Sequence, residues 1–364
     1  MTIEDILQET DINKAIEYLK SLRHVDDNEI EEIQKQLDPN QHDVTSLAKR
    51  PMRDVATKKI NEDGTVTKST SKKEVVRTSF AYQDDIINKR VSFLLSNPIR
   101  VTTASEHKDS PTIINAINAI NKSTKIDGVN REVFRTKITF KEVAELWYTT
   151  ADDRKYRYGF KGDVKINVKI FKPSEKGGKG VKDILTPVFD DYQKLIAFGR
   201  GWFSKGKDGK DIEYFEIWTD DSYKRYKKGD SGWEEYSHKN IDETSGKESL
   251  TDVGKMDALV KSIGKIPITY MRQPLTEWYN GQNICNRNDF LASNHGEIND
   301  RHASPIIKAT GEVLEKFADV VQMKDGADMN YISWSQATSS VEDEFNRNED
   351  KIYALTRTPK TSLD

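Results

Sequence analysis

The sequence contains a single cysteine, Cys285, among its 364 residues, so no disulfide can form within the chain. It has no apolar run near the roughly 18 residues of a membrane-spanning helix, which predicts that the protein has no membrane partner. The first ten residues, MTIEDILQET, lack the basic and apolar regions of a secretory signal peptide. These absences favour a protein that is made and assembled in a reducing compartment such as the cytoplasm.

A strong excess of charge of either sign is also missing. The formal net charge is −3, which argues against tight nucleic-acid binding and leaves only loose or local contacts with DNA. Charged residues make up 32% and apolar residues 35%, a polar balance for a chain that is long enough for two or three domains. We therefore expect several thin domains, or polar surfaces that face other subunits, with partial disorder as the alternative.

The N-terminal half of the sequence is mainly helical in pattern. Apolar residues at helical spacing predict a first helical segment that ends at Pro39, and residues 54–60 and 65–67 form a plausible hairpin or a mobile basic arm. Residues 80–96 form the clearest amphipathic helix. A strand over 99–103, a helix after Pro111 and a helix over 127–148 are expected to follow.

Between residues 154 and 271 the apolar period changes to two. Six short runs are separated by turn pairs such as Gly162-Asp163, Asp220-Asp221 and Gly229-Asp230, which predicts an antiparallel meander closed by a strand over 266–271. Together with the helices, this pattern indicates an α+β fold.

Two unusually polar helices are predicted in the C-terminal part, over 282–302 and about 340–356. The first contains five asparagines and a thin apolar stripe of Ile284, Leu291 and Ile298. The second begins with Ser339 and Glu342 in the spacing of a capping box, and its stripe includes Phe345 and Ile352. Because such stripes are too narrow to line a core, we expect these five apolar residues to contact other copies of the chain.

A small α/β unit is predicted between these two helices, over 304–337. We expect it to contain a strand, a helix over 311–319 and two further strands. As a compact insert between helices that must run antiparallel, it should be exposed to partners. Its docking candidates are Lys308, Glu312, Glu315, Lys316, Lys324 and Asp325.

No motif for catalysis, cofactor binding or metal binding stands out in the sequence. The run from Gly201 to Lys207 resembles a phosphate-binding loop, but Asp208 occupies the position that needs a hydroxyl, and a turn follows where a helix should begin. A hairpin is the better interpretation. The six histidines are scattered, and the paired acids lie at turns, so we expect no cofactor, no metal and no enzymatic activity.

The order of these elements resembles that of the portal proteins of long-tailed bacteriophages. In that family a core helix runs into a strand through a Leu-Leu-x-Asn-Pro motif, which matches residues 94–101, LLSNPIRV. The resemblance implies an N-terminal helical segment and arm over 1–79, a wing domain over 80–281, a first stem helix over 282–303, a clip over 304–337 and a second stem helix with the start of a tunnel loop over 338–364. In the family a long wing helix and a crown follow, whereas this sequence ends at Asp364, so we expect the crown to be absent from this chain.

The resemblance also implies a function. A portal is a homododecameric ring at one vertex of the capsid, assembled in the host cytoplasm, through which double-stranded DNA is packaged and later ejected. Its implied partners are further copies of itself, the major capsid protein, the terminase large subunit and the head-completion or neck proteins. Arg357 and Lys360, which flank Pro359 where the tunnel loop would begin, are the expected channel-facing cations. The alternatives are another phage neck or baseplate protein, or a hydrolase built on the meander.

Overall fold

The computed structural model describes residues 11–60, 66–178, 180–206, 209–241, 248–302, 307–310, 313–317, 320–323, 328–331 and 338–360. Its helices are α1 (Ile12–Ser21), α2 (Asp27–Leu37), α3 (Tyr82–Leu95), α4 (Ser110–Thr124), α5 (Ile126–Phe140), α6 (Asp252–Ile263), α7 (Gln282–His302) and α8 (Thr338–Leu355). Its strands are β1 (Arg53–Ile60), β2 (Val66–Lys73), β3 (Glu142–Ala151), β4 (Val164–Phe171), β5 (Asp183–Phe189), β6 (Leu195–Lys205), β7 (Asp211–Trp218), β8 (Tyr223–Gly229), β9 (Gly232–Glu235), β10 (Lys239–Ile241), β11 (Glu248–Leu250), β12 (Ile268–Arg272), β13 (Ile307–Thr310), β14 (Val313–Phe317), β15 (Val320–Met323) and β16 (Asp328–Tyr331).

The described strands pair only in antiparallel fashion, and with the helices they confirm the α+β class. The chain divides into two compact units. The first contains residues 1–34 and 87–277, and the second contains residues 35–86 and 278–364. The domain boundaries expected from the sequence stay a prediction.

The predicted meander is confirmed in part in the first unit, because β4, which was expected to belong to it, pairs with β3 in a separate sheet. Strands β5 to β9 lie side by side in sequence order. Turn chemistry explains the connections: the Asp190 carboxylate accepts the N–H groups of Tyr192 (2.9 Å) and Lys194 (2.8 Å) between β5 and β6. The run that resembles a phosphate-binding loop lies here too. Gly201 pairs with Phe215 in the β6–β7 hairpin, which confirms the hairpin interpretation.

Both faces of this five-stranded sheet are buried. On one face, Ile16 and Leu19 of α1 pack with Phe215 and Trp233. On the other face, Phe198 and Trp218 belong to a second core cluster. That cluster also contains residues of α6 and of a three-stranded sheet in the order β12-β3-β4. The first unit is therefore a layered structure with one core on each side of its central sheet.

The helix expected over 127–148 was partly wrong. Helix α5 ends at Phe140, where Lys141 adopts a left-handed φ of 70°, and the chain continues as β3. Val143 and Leu146 of β3 are buried, and Leu146 has a strand partner on each side. A continuous apolar run does not distinguish a buried strand from a helix, which explains the error.

Helix α6 was missed, because residues 252–263 lie in the region assigned to strands. Its ends carry clear signals, since the Thr251 hydroxyl accepts the Gly254 N–H at 3.1 Å and Gly264 closes the helix with a φ of 59°. The strand expected over 266–271 is present as β12, but it pairs with β3 and not with the meander. Residues 99–103 and 155–160 form no strand, which corrects two further expectations.

In the second unit, the predicted hairpin is confirmed as β1 and β2, and helices α7 and α8 are confirmed close to their predicted bounds. The helix expected over 311–319 was wrong, because Val313–Phe317 is a strand paired with Val320–Met323. This hairpin lies inside the outer pair β13 and β16, so in its described residues the insert consists of strands. Ser339 lies inside α8, which begins at Thr338, and not at its N-cap as the capping box required.

Candidate functional site

The polar side chains of α7 are buried within the second unit. Asn288, Asp289 and Ser293 are no more than 1% exposed. The sequence suggested that this polar helix has too narrow an apolar stripe to line a core and that it contacts other copies of the chain. Instead, these three side chains form hydrogen bonds inside the chain, as buried polar groups must.

His42 and Asp289 form a buried pair at the centre of this network. Nδ1 of His42 lies 2.7 Å from Oδ2 of Asp289, and Nε2 lies 3.0 Å from the Gln36 carbonyl oxygen. Because both ring nitrogens face acceptors, the geometry favours the doubly protonated imidazolium ion, with the Asp289 carboxylate as its partner. Burial alone lowers the pKa of His42, but the bonds to Asp289 and to the Gln36 carbonyl outweigh it and raise the pKa above its ordinary value.

One face of α7 also holds the extended segment 76–80. The Asp289 carboxylate accepts the Phe80 N–H (2.9 Å), the Ser293 hydroxyl accepts the Thr78 N–H (2.8 Å), and the Glu297 carboxylate accepts the Val76 N–H (3.2 Å). We call this set of three contacts the polar ladder.

Its spacing has a simple geometric cause. Four residues of helix rise about 6 Å, and two residues of extended chain span about 6.6 Å. Side chains at every fourth helix position can therefore meet every second amide of the neighbouring segment. Gly296 permits the close approach, since a Cβ there would lie 2.8 Å from Cγ1 of Val76.

The two predicted stem helices are joined by polar contacts. The Asn348 amide of α8 donates to Oδ1 of Asn288 (3.0 Å), and the Asn288 amide donates to the Tyr82 hydroxyl (3.2 Å). At the surface, Arg287 and Glu344 form an ion pair at 2.9 Å. The asparagine side chains thus hold α7 and α8 together within one chain. The composition of the helices alone did not predict this role.

The five apolar residues that we expected at contacts between subunits lie at different depths. Ile352 is fully buried and Leu291 is 8% exposed within the chain itself. Ile284, Ile298 and Phe345 are half-buried, and Phe345 contacts Phe80 edge-on, with their ring centroids 5.5 Å apart. Ile352 has no exposed surface within the single chain, so Asp substitution there would also disturb the core. The roles of all five residues at contacts between subunits stay predictions.

The two cations expected to face a channel lie where α8 ends. Arg357 adopts a left-handed φ of 52°; its N–H donates to the Ala354 carbonyl, and the Thr358 N–H donates to the Tyr353 carbonyl. This is the Schellman arrangement that ends many helices, usually with glycine at the position of Arg357. Lys360 lies 2.6 Å from Asp350 and 3.7 Å from Glu349, and the bond with Asp350 raises the pKa of its ammonium.

Of the predicted docking residues, Lys308, Glu315 and Lys316 lie in strands β13 and β14. Glu312, Lys324 and Asp325 lie outside the described residues. The sequence interpretation missed His42 and Trp278, whose indole N–H donates to the Gln36 side-chain oxygen at 2.7 Å. The regular spacing of Asp289, Ser293 and Glu297 was the available signal for the polar ladder.

Within the described ranges, no group of three or more histidine, cysteine, aspartate or glutamate residues is placed to hold a metal ion. No helix in the same ranges is long and apolar enough to cross a membrane. A family model described as phage portal protein, SPP1 Gp6-like, matches residues 19–364. Comparison with individually curated proteins gave no match.

Proposed function

This chain belongs to the phage portal protein family, and from that premise we propose that it assembles into a homododecameric ring at one vertex of the capsid. The family is structural and not enzymatic, and it places the protein in the virion. In the proposed role, double-stranded DNA passes through the ring during packaging and ejection. The observation that carries the proposal is the match over nearly the whole chain.

The mass of the purified full chain tests this proposal. Native mass spectrometry and electron microscopy should give closed rings of about a dozen copies, each with a central channel. A monomer or a small oligomer under all assembly conditions would contradict it and favour the hydrolase alternative. A ring that attaches to tails but is absent from capsid vertices would favour the neck or baseplate alternative.

The proposed partners of the ring are the major capsid protein, the terminase large subunit and the head-completion or neck proteins. We place terminase and neck docking on the insert 304–337, because it joins the ends of α7 and α8 and four short strands stiffen it. Replacing 304–337 by a short linker should abolish terminase recruitment while the first unit keeps its fold. Recruitment that persists would place the docking site elsewhere.

We also propose that Arg357 and Lys360 meet DNA phosphates in transit. A ring of such cations would centre the duplex without reading its sequence. The variant Arg357→Gly removes the charge and retains the helix end, since glycine favours the left-handed backbone. Combined with Lys360→Gln, it should change the rate and the salt dependence of packaging. Unchanged packaging would mean that both residues only end α8.

A further inference from the structure

The hairpin of β1 and β2 is a strongly positive segment of a chain whose net charge is −3. Its two strands contain six cations and a single acid, Asp54, which gives them a formal charge of +5. The charge is still +3 when Glu62 and Asp63 of the connecting segment are counted. We call these two strands the basic ribbon. Its cations are Arg53, Lys58, Lys59, Lys68, Lys72 and Lys73.

The pairing of the basic ribbon sets like charges opposite one another. Arg53 is the register partner of Lys73, and Lys58 is the register partner of Lys68. Like charges that lie directly opposite destabilise a pair of strands. Among the described strands, β1 and β2 pair only with each other, and a two-stranded hairpin is marginally stable by itself. The ribbon therefore carries a charge arrangement that opposes its own folding and that a bound polyanion would relieve.

One end of the basic ribbon is held against α7. Arg53 forms an ion pair with Glu297 of that helix at 2.9 Å. The polar ladder holds residues 76–80, which follow β2, along the same helix. By contrast, Lys72 and Lys73 are exposed and belong to no ion pair within the part of the chain that the structure describes. The ribbon is thus fixed at one end, and these two ammonium groups remain available to a ligand.

The composition of β2 suits a phosphate backbone better than a protein surface. Seven of its eight residues are lysine, serine or threonine. Thr70 and Ser71 are exposed beside the two free lysines, and hydroxyl and ammonium groups both donate hydrogen bonds to phosphate oxygens. Contacts between protein subunits instead need an apolar or aromatic centre, from which lysine and serine are depleted. A two-stranded ribbon also fits the major groove of duplex DNA.

We infer that the basic ribbon binds the backbone of double-stranded DNA without reading its sequence. A duplex carries one negative charge per roughly 1.7 Å of its axis. Eight residues of strand span about 27 Å, so the ribbon can meet several phosphates at once. The choice of duplex DNA as the polyanion rests on the proposed portal function, whereas the charge and the hydroxyl chemistry of the ribbon do not.

Fluorescence anisotropy of a labelled duplex of about 30 base pairs tests the inference on the full chain, at several salt concentrations. Replacing both Lys72 and Lys73 by Gln should weaken binding about tenfold at about 0.1 M salt. It should also lower the slope of log affinity against log salt by about 2, because two phosphate contacts are lost. Replacing both by Arg keeps the charges and should preserve the affinity. Two duplexes of unrelated sequence should bind equally well.

Two controls separate the ribbon from the other cations of the chain. Lys205→Gln combined with Lys224→Gln removes the same charge from exposed positions on β6 and β8, and it should leave the affinity for the duplex unchanged. The ribbon variants are also measured together with Arg357→Gly and Lys360→Gln, because those two residues are proposed to meet DNA as well. The ribbon substitutions should cause the same loss in both backgrounds.

Three results would overturn the inference: equal losses in the ribbon and control variants, displacement of the duplex by poly-L-glutamate at equal charge, or ribbon variants that lose rings and keep their DNA affinity. The last would make the ribbon a contact between subunits. The oligomeric state is measured on the same samples. Duplex binding through the ribbon by a chain that forms no ring would refute the portal proposal and retain the ribbon as a DNA site. Rings whose DNA affinity is the same in every variant would do the reverse.

Discussion

At the residue scale, His42 makes the stability of the second unit depend on pH. Its ordinary pKa of about 6.5 is raised in the folded protein by Asp289 and the Gln36 carbonyl, which outweigh the effect of burial. The imidazolium therefore stabilises the fold fully below about pH 6.5. This contribution is lost as the pH rises through the higher folded value.

We predict that Asp289→Asn destabilises the protein by about 3–5 kcal/mol at pH 6, because it leaves a buried imidazolium without its counter-ion. The loss should shrink as the pH rises above the raised pKa of His42, because the imidazole is then neutral in both proteins. Thermal unfolding of both at several pH values gives the difference. Burial raises the pKa of Glu142 to about 7. This carboxyl group titrates in both proteins, so its contribution cancels in the difference between them. A pH-independent difference would show that His42 is neutral throughout.

Arg200 is a second residue that we expect to contribute strongly to stability, in this case that of the first unit. Its guanidinium bonds to two buried carboxylates and lies over Phe171 and Trp202, 4.2 Å and 4.4 Å from their ring centroids. We predict that Arg200→Met costs about 3–5 kcal/mol, since two carboxylates lose a shared partner. Arg200→Lys should cost less, because the charge remains and the planar stacking is lost. Urea unfolding measures both, and equal costs would mean that stacking and not charge matters.

At the element scale, glycine is the third residue of both α5 and α6. We expect its replacement by alanine to have opposite effects on stability in the two helices. A Cβ on Gly254 would lie 2.1 Å from the His238 carbonyl oxygen, whereas a Cβ on Gly128 would meet nothing within 4 Å. We predict that Gly254→Ala costs about 1–3 kcal/mol by forcing α6 away from that backbone. Gly128→Ala should stabilise by about 0.5–1 kcal/mol through helix propensity alone. Denaturant unfolding checks both, and a stabilised Gly254→Ala would refute the close packing of α6.

The same scale shows which elements a single sequence predicts. The meander followed from its period and its turn residues, because both act locally. Helix α6 was missed although Thr251 and Gly264 mark its ends, since strand-like neighbours outweighed the caps. Strand β14 was predicted as a helix because Val313–Phe317 is too short for its apolar period to distinguish a strand from a helix. Its pairing with β15 is visible only in the folded structure.

The network around α7 was less predictable for the same reason. Its asparagines looked suited to contacts between chains, but Asn288 is satisfied by Tyr82 and Asn348, which are distant in sequence. His42 pairs with Asp289, which lies 247 positions away in the sequence. The local sequence pattern shows that a helix is polar. Only the fold shows which residues form hydrogen bonds with its polar side chains.

At the scale of the whole molecule, contacts between subunits must come from side chains that the subunit leaves exposed. Helix α8 offers a direct comparison, because Ile352 is fully buried whereas Leu355, one turn further on, is 46% exposed. Ile352→Asp should unfold the second unit, so it does not test assembly. Leu355→Asp places the same charge on the surface and leaves the core intact.

We predict that Leu355→Asp lowers the fraction of chains in rings and leaves the thermal midpoint of the subunit unchanged, because an apolar contact between neighbouring copies becomes a buried charge. Ala354→Asp is the matched control: it is also exposed and adds the same charge at the same end of the helix, but it points about 100° away. Native mass spectrometry and electron microscopy of the three proteins decide the matter. Equal losses in both variants would indicate general charge repulsion. Normal rings in Leu355→Asp would remove α8 from the contact between subunits and leave α7, through Ile284 or Ile298, as the helix to test.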